Sequence, residues 1–326
     1  MARSSAKGLP SARAQPGEAL SPFGELPTEA RHPQSGELDT WPPEEVVKLM
    51  LDEEIGAVRA ARARAAQIGR AARLVADRLA EGGRLVYVGA GTSGRLGHLD
   101  AVECVPTFGV PPSRVVSVLA GGRQALARSV EGAEDSVRDA ETRMRRAAVG
   151  PTDALCAIAA SGVTAFVRTA LEYARFRRAA TVFVTCGAPA GADALADVVI
   201  DLRTGPEVIA GSTRLKAGTA TKVVLNAIST TAFVLLGKTY AGLMVDVRPT
   251  NAKLWARAVR IVRLLTGLDE AAALALIEKG GGRAKVAIVM HHARVGAARA
   301  RELLIEHKGS LRAIIGDVSP AGIALP

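Results

Sequence analysis

Aromatic side chains are scarce, at 3% of the 326 residues. Base stacking therefore has few platforms, and packing must rest on small and branched aliphatics, which suits the close helix–sheet contact of a layered α/β fold. The three cysteines, Cys104, Cys156 and Cys186, are widely spaced and form no CxxC pair, so neither a disulfide framework nor a zinc motif is indicated, and buried thiols are expected. The five histidines are scattered apart from His291-His292, and no HExxH or comparable ligand spacing occurs. No apolar run reaches the length of a membrane-spanning helix, and residues 1–26, rich in Ser, Ala, Pro and Arg, lack the apolar centre of a secretory signal. A cytoplasmic location is the expectation, without a membrane partner.

What is present is a formal charge of +10 and a 48% hydrophobic content, enough for one large α/β domain with additions. Much of the positive excess lies on segments such as Arg59 to Leu79, where arginines alternate with apolar residues at helical spacing. A solvated helix face accounts for it, and no nucleic-acid partner is indicated.

The pattern is helical from Pro43 to Ala80 and then alternates. Apolar strands "RLVYVGA", "RVVSVLAG", "ALCAIAAS", "ATVFVTCG" and "DVVIDL" are separated by helices, including a long polar one through "ALARSVEGAEDSVRDAETRMRRAA". Continuous apolar strands between helices predict a doubly wound parallel sheet, with an N-terminal helix and a small C-terminal helical appendix. The expected division is a tail over 1–26, an α/β domain over 27–266, a small helical domain over 267–308 and a tail over 309–326.

Gly89, Gly91 and Gly94 match GxGxxG, but the next strand ends in Ala120, Gly121 and Gly122 where a dinucleotide site needs an acid for the ribose. No nicotinamide cofactor is expected. A second strand–turn–helix unit, "AIAASGVTAFV", repeats the design with Ser161 and Thr164 as the first does with Thr92 and Ser93. Hydroxyls and backbone N–H groups at two helix N-termini suit one phosphate monoester, although ordinary N-capping explains either loop alone. A third cluster, "GPEVIAGSTRLKAGTATK", adds Glu207, Ser212, Thr213, Arg214 and Lys216, either as a positive wall for an anion or as a capped helix with solvated cations. Two acids stand nearby. Glu103 lies between Val102 and Cys104, an unusual place for a carboxylate, though helix capping accounts for it equally well, whereas Glu134, beside Glu131 and Asp135, reads by itself as a solvated helix residue.

The blocks "TEARHPQSGELDT", "GAGTSGRLGHLDAVECVPT", "SVEGAED", "AASGVT", "GPEVIAGSTRLKAGTATK" and "LMVDVRPTNAKL" together resemble the N-acetylmuramic acid 6-phosphate etherases, lyases of the sugar isomerase superfamily. The resemblance implies cleavage of the lactyl ether at C3 of the open-chain sugar phosphate, without metal or nucleotide. It also implies a homodimer with the active site near the subunit interface. It places the catalytic acid on Glu103 and the base on Glu134. Ser161 and Thr164 fall on its phosphate loop, Thr92 and Ser93 on the loop facing the sugar, and Glu207, Ser212 and Thr213 on the third substrate loop. An acid protonated at neutral pH needs a raised pKa, which Val102, Val105 and Pro106 would provide by burying Glu103.

Three departures bear on substrate detail. Val163 stands where many relatives have arginine, a loss that either weakens binding of an anionic group or is made good by Arg214 or Lys216; Val105 replaces a proline and His32 an asparagine. Two other functions fit parts of the pattern: a noncatalytic sugar-phosphate sensor similar to glucokinase regulatory protein, and an aldose–ketose isomerase. A sensor has no need of both acids, and only an etherase needs a leaving group at C3.

Overall fold

Strands β1 (Leu85–Gly89), β3 (Ala154–Ile158) and β4 (Ala180–Thr185) are buried at every position, as uninterrupted apolar sequences require when both faces are covered. The edge strands β2 (Val115–Leu119) and β5 (Val198–Asp201) are only partly buried and carry the polar residues Ser117 and Asp201. All five run parallel, in the order β2-β1-β3-β4-β5. The computed structural model describes residues 26–188, 191–247, 249 and 251–318. Residues 1–25 and 319–326 of the expected tails lie outside the described residues.

Successive strand residues point to opposite faces. Leu85 and Tyr87 belong to an apolar cluster shared with helices α1 (Pro43–Arg62), α2 (Ala65–Ala80), α3 (Gly91–Phe108) and α6 (Lys216–Leu235), whereas Val86 and Val88 belong to one shared with α4 (Val137–Ala147) and α5 (Ala165–Phe176). The doubly wound architecture is therefore as the sequence predicts. Helix α3 lies unusually close to β1. A Cβ on Gly94 would sit 2.6 Å from the Gly89 carbonyl oxygen, and one on Gly97 would sit 2.8 Å from Tyr87 Cβ. The third glycine of the GxGxxG match thus serves helix–strand packing. Asp100 fixes the contact, accepting hydrogen bonds from Tyr87 Oη at 2.6 Å, Asn226 Nδ2 at 2.6 Å and Ser229 Oγ at 3.1 Å. This buried carboxylate ties α3 to β1 and α6, because leaving any of these groups unpaired in the core would cost about 1–3 kcal/mol.

The long polar helix expected over 125–148 is instead three pieces. Short 3-10 turns at Arg123–Leu126 and Ala133–Asp135 precede α4, and Gly132, at φ 69°, sits in the left-handed region that ends regular helix. The hydroxyl of Ser136 accepts the Asp139 N–H at 3.2 Å and starts α4 afresh. Glu134 consequently lies in a turn.

Beyond α6, helices α7 (Ala252–Thr266), α8 (Glu270–Lys279), α9 (Ala284–Ala293) and α10 (Ala297–Glu306) share a separate apolar cluster that includes Tyr240, Ile261, Leu265, Ile277 and Ile288. This packing reaches back across the 266/267 division suggested by the pattern, since the apolar face of α7 is covered by the later helices. The C-terminal segment also differs from a tail: Leu311–Ile315 forms α11, Leu311 is buried, and Tyr240 Oη donates to the Gly316 carbonyl at 2.7 Å while accepting the Val318 N–H at 2.7 Å. No helix among the described residues is long and apolar enough to cross a membrane.

Candidate active site

From β1 the chain crosses toward β2, and from β3 it crosses the other way toward β4. The loops after β1 and β3 therefore diverge and leave a crevice at the carboxyl ends of two neighbouring strands, the place where open α/β sheets hold ligands. A cavity of about 350 Å³ opens there. Thr92 and Ser93 line it from the start of α3, Ser161 and Thr164 from the start of α5, Thr213 from the third loop, and Glu134 with Asp135 from the turn before α4.

Neither helix uses a side chain to cap itself: the residues at the two N-cap positions, Ala90 and Thr164, make no side-chain cap hydrogen bond. The first N–H groups of each helix lack intrahelical acceptors and bring the positive ends of two helix dipoles to one cavity. Ser161 Oγ accepts only a long contact, 3.5 Å, from the Val163 N–H. Capping thus does not explain these hydroxyls, and the cradle is chemically fitted to an anion of phosphate size.

The two carboxyls differ in position. Glu134 touches solvent, but the surrounding protein, and then the carboxylates of Asp135 and Glu131, raise its pKa above the ordinary value. Glu103 is exposed on α3 and borders a different, mostly apolar hollow with Ala101, Val102 and Pro106. The burial expected for it does not occur, because Val102 and Pro106 face outward beside it.

The third loop is partly structural. Glu207, 1% exposed, accepts the N–H groups of Lys216 at 3.1 Å and Ala217 at 3.0 Å and so caps α6; burial raises its proton affinity. The Lys216 ammonium pairs with Glu53, whose other oxygen lies 3.3 Å from His32 Nε2. Burial alone would raise the Glu53 pKa, but Lys216 and His32 outweigh it and the net direction is down. Arg214 is exposed and Ser212 partly so, and neither lines the cavity. No lysine or arginine among the described residues lines it either, so Arg214 and Lys216 do not make good the arginine replaced at Val163.

Glu29 is among the lining residues that the sequence reading does not single out. Glu29 reaches the cavity because the Gly211 N–H donates to the Thr28 carbonyl at 3.0 Å and holds the N-terminal segment against the third loop. Its only signal was an acid within "TEARH", with nothing local to show where that segment returns.

The glucokinase regulatory protein N-terminal SIS domain matches residues 67–175, which span α3, the Glu134 turn and nearly all of α5. An N-acetylmuramic acid 6-phosphate etherase from Rubrobacter xylanophilus is 50% identical over 295 residues, covering 90% of this chain and 97% of its own. One from Deinococcus radiodurans is 46% identical over 295 residues, with the same two coverages, 90% and 97%. Among solved structures, a phosphoheptose isomerase from Francisella tularensis aligns at TM-score 0.47 and 16% identity, over 60% of this chain and 100% of its own.

Proposed function

The chain belongs to the N-acetylmuramic acid 6-phosphate etherase family, and from that membership we propose that it cleaves the D-lactyl ether of N-acetylmuramic acid 6-phosphate. The products are N-acetylglucosamine 6-phosphate and D-lactate, in the recycling of cell-wall sugars. The observation that carries this reading is 50% identity maintained along 97% of an etherase. The cradle supports it physically, since two uncapped helix N-termini and the hydroxyls of Ser161 and Thr164 suit the sugar's phosphate.

In the open-chain sugar the C1 aldehyde acidifies the C2 proton. A base removes that proton, an acid protonates the lactyl oxygen as its bond to C3 breaks, and water then adds to the unsaturated aldehyde. Glu134, at the cavity, is the base in this reading, and its raised pKa, caused by burial and then by Asp135 and Glu131, makes it a stronger one. Glu103 is the acid. Thr92, Ser93 and Thr213 face the sugar, with Ser212 behind them in the third loop; Glu207, Lys216 and Arg214 hold or flank that loop. No metal or nucleotide takes part. The enzyme is cytoplasmic and a homodimer, built from an α/β unit and a C-terminal helical unit.

Incubating the purified protein with N-acetylmuramic acid 6-phosphate should release lactate in step with N-acetylglucosamine 6-phosphate. Isomerised sugar without lactate would favour the aldose–ketose isomerase, and tight binding without turnover would favour the sensor.

A further inference from the structure

The chemistry above begins from an open-chain aldehyde, but a sugar with a free C5 hydroxyl closes on itself as a cyclic hemiacetal. Opening the ring moves a proton from O1 to the ring oxygen O5, a task for a titratable side chain within reach of both. The cavity offers only carboxyls for it. Glu29, Glu134 and Asp135 line the space, and no histidine, cysteine, tyrosine, lysine or arginine among the described residues does.

These carboxyls stand on two walls. Glu134 and Asp135 share one turn, which packs through Ala133 on the α4 and α5 side of the sheet. Glu29 enters from the other side, on a segment held against the third loop, which leads into α6 on the opposite face. Two buried fixtures bracket it. Thr28, 1% exposed, accepts the Gly211 N–H at 3.0 Å through its carbonyl, and His32, 5% exposed, meets Glu53, which also holds Lys216 at the start of α6. Between them Glu29 is itself exposed at the cavity, and its carboxylate makes no hydrogen bond or ion pair among the described residues. Gly211, at φ 75°, leaves that carboxylate room, since a Cβ there would stand 2.7 Å from Glu29 Oε2. Glu207, by contrast, uses both oxygens to cap α6. A surface acid needs no anchorage on both flanks, whereas an acid that must meet a ligand in one geometry does.

We propose that Glu29 opens the sugar ring. Its carboxylate takes the proton from O1, the O1–H bonding pair becomes the second bond of the C1 carbonyl, the C1–O5 pair passes to O5, and the same proton is returned to O5. The carboxylate ends as it began and no other reactant is consumed. Glu134, on the opposite wall, stays aimed at the C2 proton that the new aldehyde acidifies. The inference rests on the etherase reading, which supplies a hemiacetal substrate with C2 chemistry to follow.

Exchange between the α and β anomers of N-acetylmuramic acid 6-phosphate, read by two-dimensional NMR exchange spectroscopy, reports ring opening without lactate release. It is measured with Glu134→Gln, which stalls at the aldehyde, and with the Glu29→Gln/Glu134→Gln double variant. Glu134→Gln should speed interconversion by about a hundredfold over buffer, and the double variant should fall back to the buffer rate while binding the sugar phosphate as tightly by calorimetry. No acceleration by Glu134→Gln, or equal acceleration by the double variant, would overturn the proposal. Lost binding in the double variant would make Glu29 a binding residue instead and overturn it too. Glu29→Gln alone should lower kcat for lactate release with little change in KM, and wild-type turnover there would refute the role. If the wild type opens the ring through Glu29 yet releases no lactate, the etherase reading fails and the ring-opening role stands.

Discussion

The two ends of helix α3 differ in kind. At its N-terminus, Thr92 and Ser93 join Ser161, Thr164, Thr213 and Glu134 around a cavity assembled within one chain. Three turns on, Glu103 stands exposed among Leu99, Val102 and Pro106, at the edge of an apolar hollow that Pro112 and Val115 also line. Hydroxyls, helix N-termini and one carboxyl thus share a cavity at one end, while the second carboxyl stands on the surface at the other end. The contrast teaches that a single sequence block, "GAGTSGRLGHLDAVECVPT", reaches two different places on the chain, because a helix this long cannot present both ends to one cavity.

The largest effect that could break this contrast is loss of either acid. Glu103→Gln and Glu134→Gln should each lower lactate release by about a hundredfold or more, the low end of general acid–base assistance. In heavy water the two should part: Glu103→Gln should still wash deuterium into C2 of unconverted substrate, and Glu134→Gln should not. Exchange that survives only in Glu134→Gln would exchange their roles, and near-normal turnover in both would remove the two-carboxylate mechanism.

The cradle end is tested by smaller losses. Ser161→Ala and Thr164→Ala should each raise KM by about tenfold, as expected for one hydrogen bond to a charged group, with a lesser fall in kcat. An unchanged KM for the phosphorylated sugar would remove these hydroxyls from the phosphate site.

A third change sharpens the distinction between ligand and scaffold. Lys216→Met should lower stability by about 1–3 kcal/mol, since it leaves the partly buried Glu53 with His32 as its remaining partner, while shifting KM little. The pH dependence has a definite sign. The folded-state pKa of Glu53 is lowered below its ordinary value of 4.5, so its contribution is full above that pH and is lost as pH falls through the folded value. The acid limb of the wild-type melting temperature should flatten in Glu53→Gln; an unchanged limb would show that the pair contributes nothing. The smallest effect expected is none: EDTA should leave turnover intact, and activity restored by a divalent ion would reject the cofactor-free chemistry.

Local patterns were legible in proportion to how local their causes are. The strands read correctly because burial on both faces writes itself as "LVYV" and "ALCAI". The loops at Thr92 and Ser161 read as one kind of site because each follows a strand and opens a helix. Glu134 was misplaced on a polar helix, although Gly132 and the spacing from Ser136 to Asp139 signal a break and a fresh N-cap. Glu207 and Lys216 looked equally suited to a ligand or to a helix start; long-range partners decide, Glu53 coming from α1 and the capped N–H groups from α6. Glu29 and α7 were missed because no periodicity records which distant surface a segment will cover. Nor does sequence say on which side of a helix a motif acid will find its neighbours, which is why Glu103 was expected to be buried.

The central claim is elimination across C2 and C3 followed by addition of water, and isotopes report both halves together. With the wild-type enzyme in deuterated water enriched in oxygen-18, the N-acetylglucosamine 6-phosphate formed should carry deuterium at C2 and the heavy oxygen at C3, with D-lactate retaining its original ether oxygen. Heavy oxygen in lactate, or a product with protium at C2, would contradict the account.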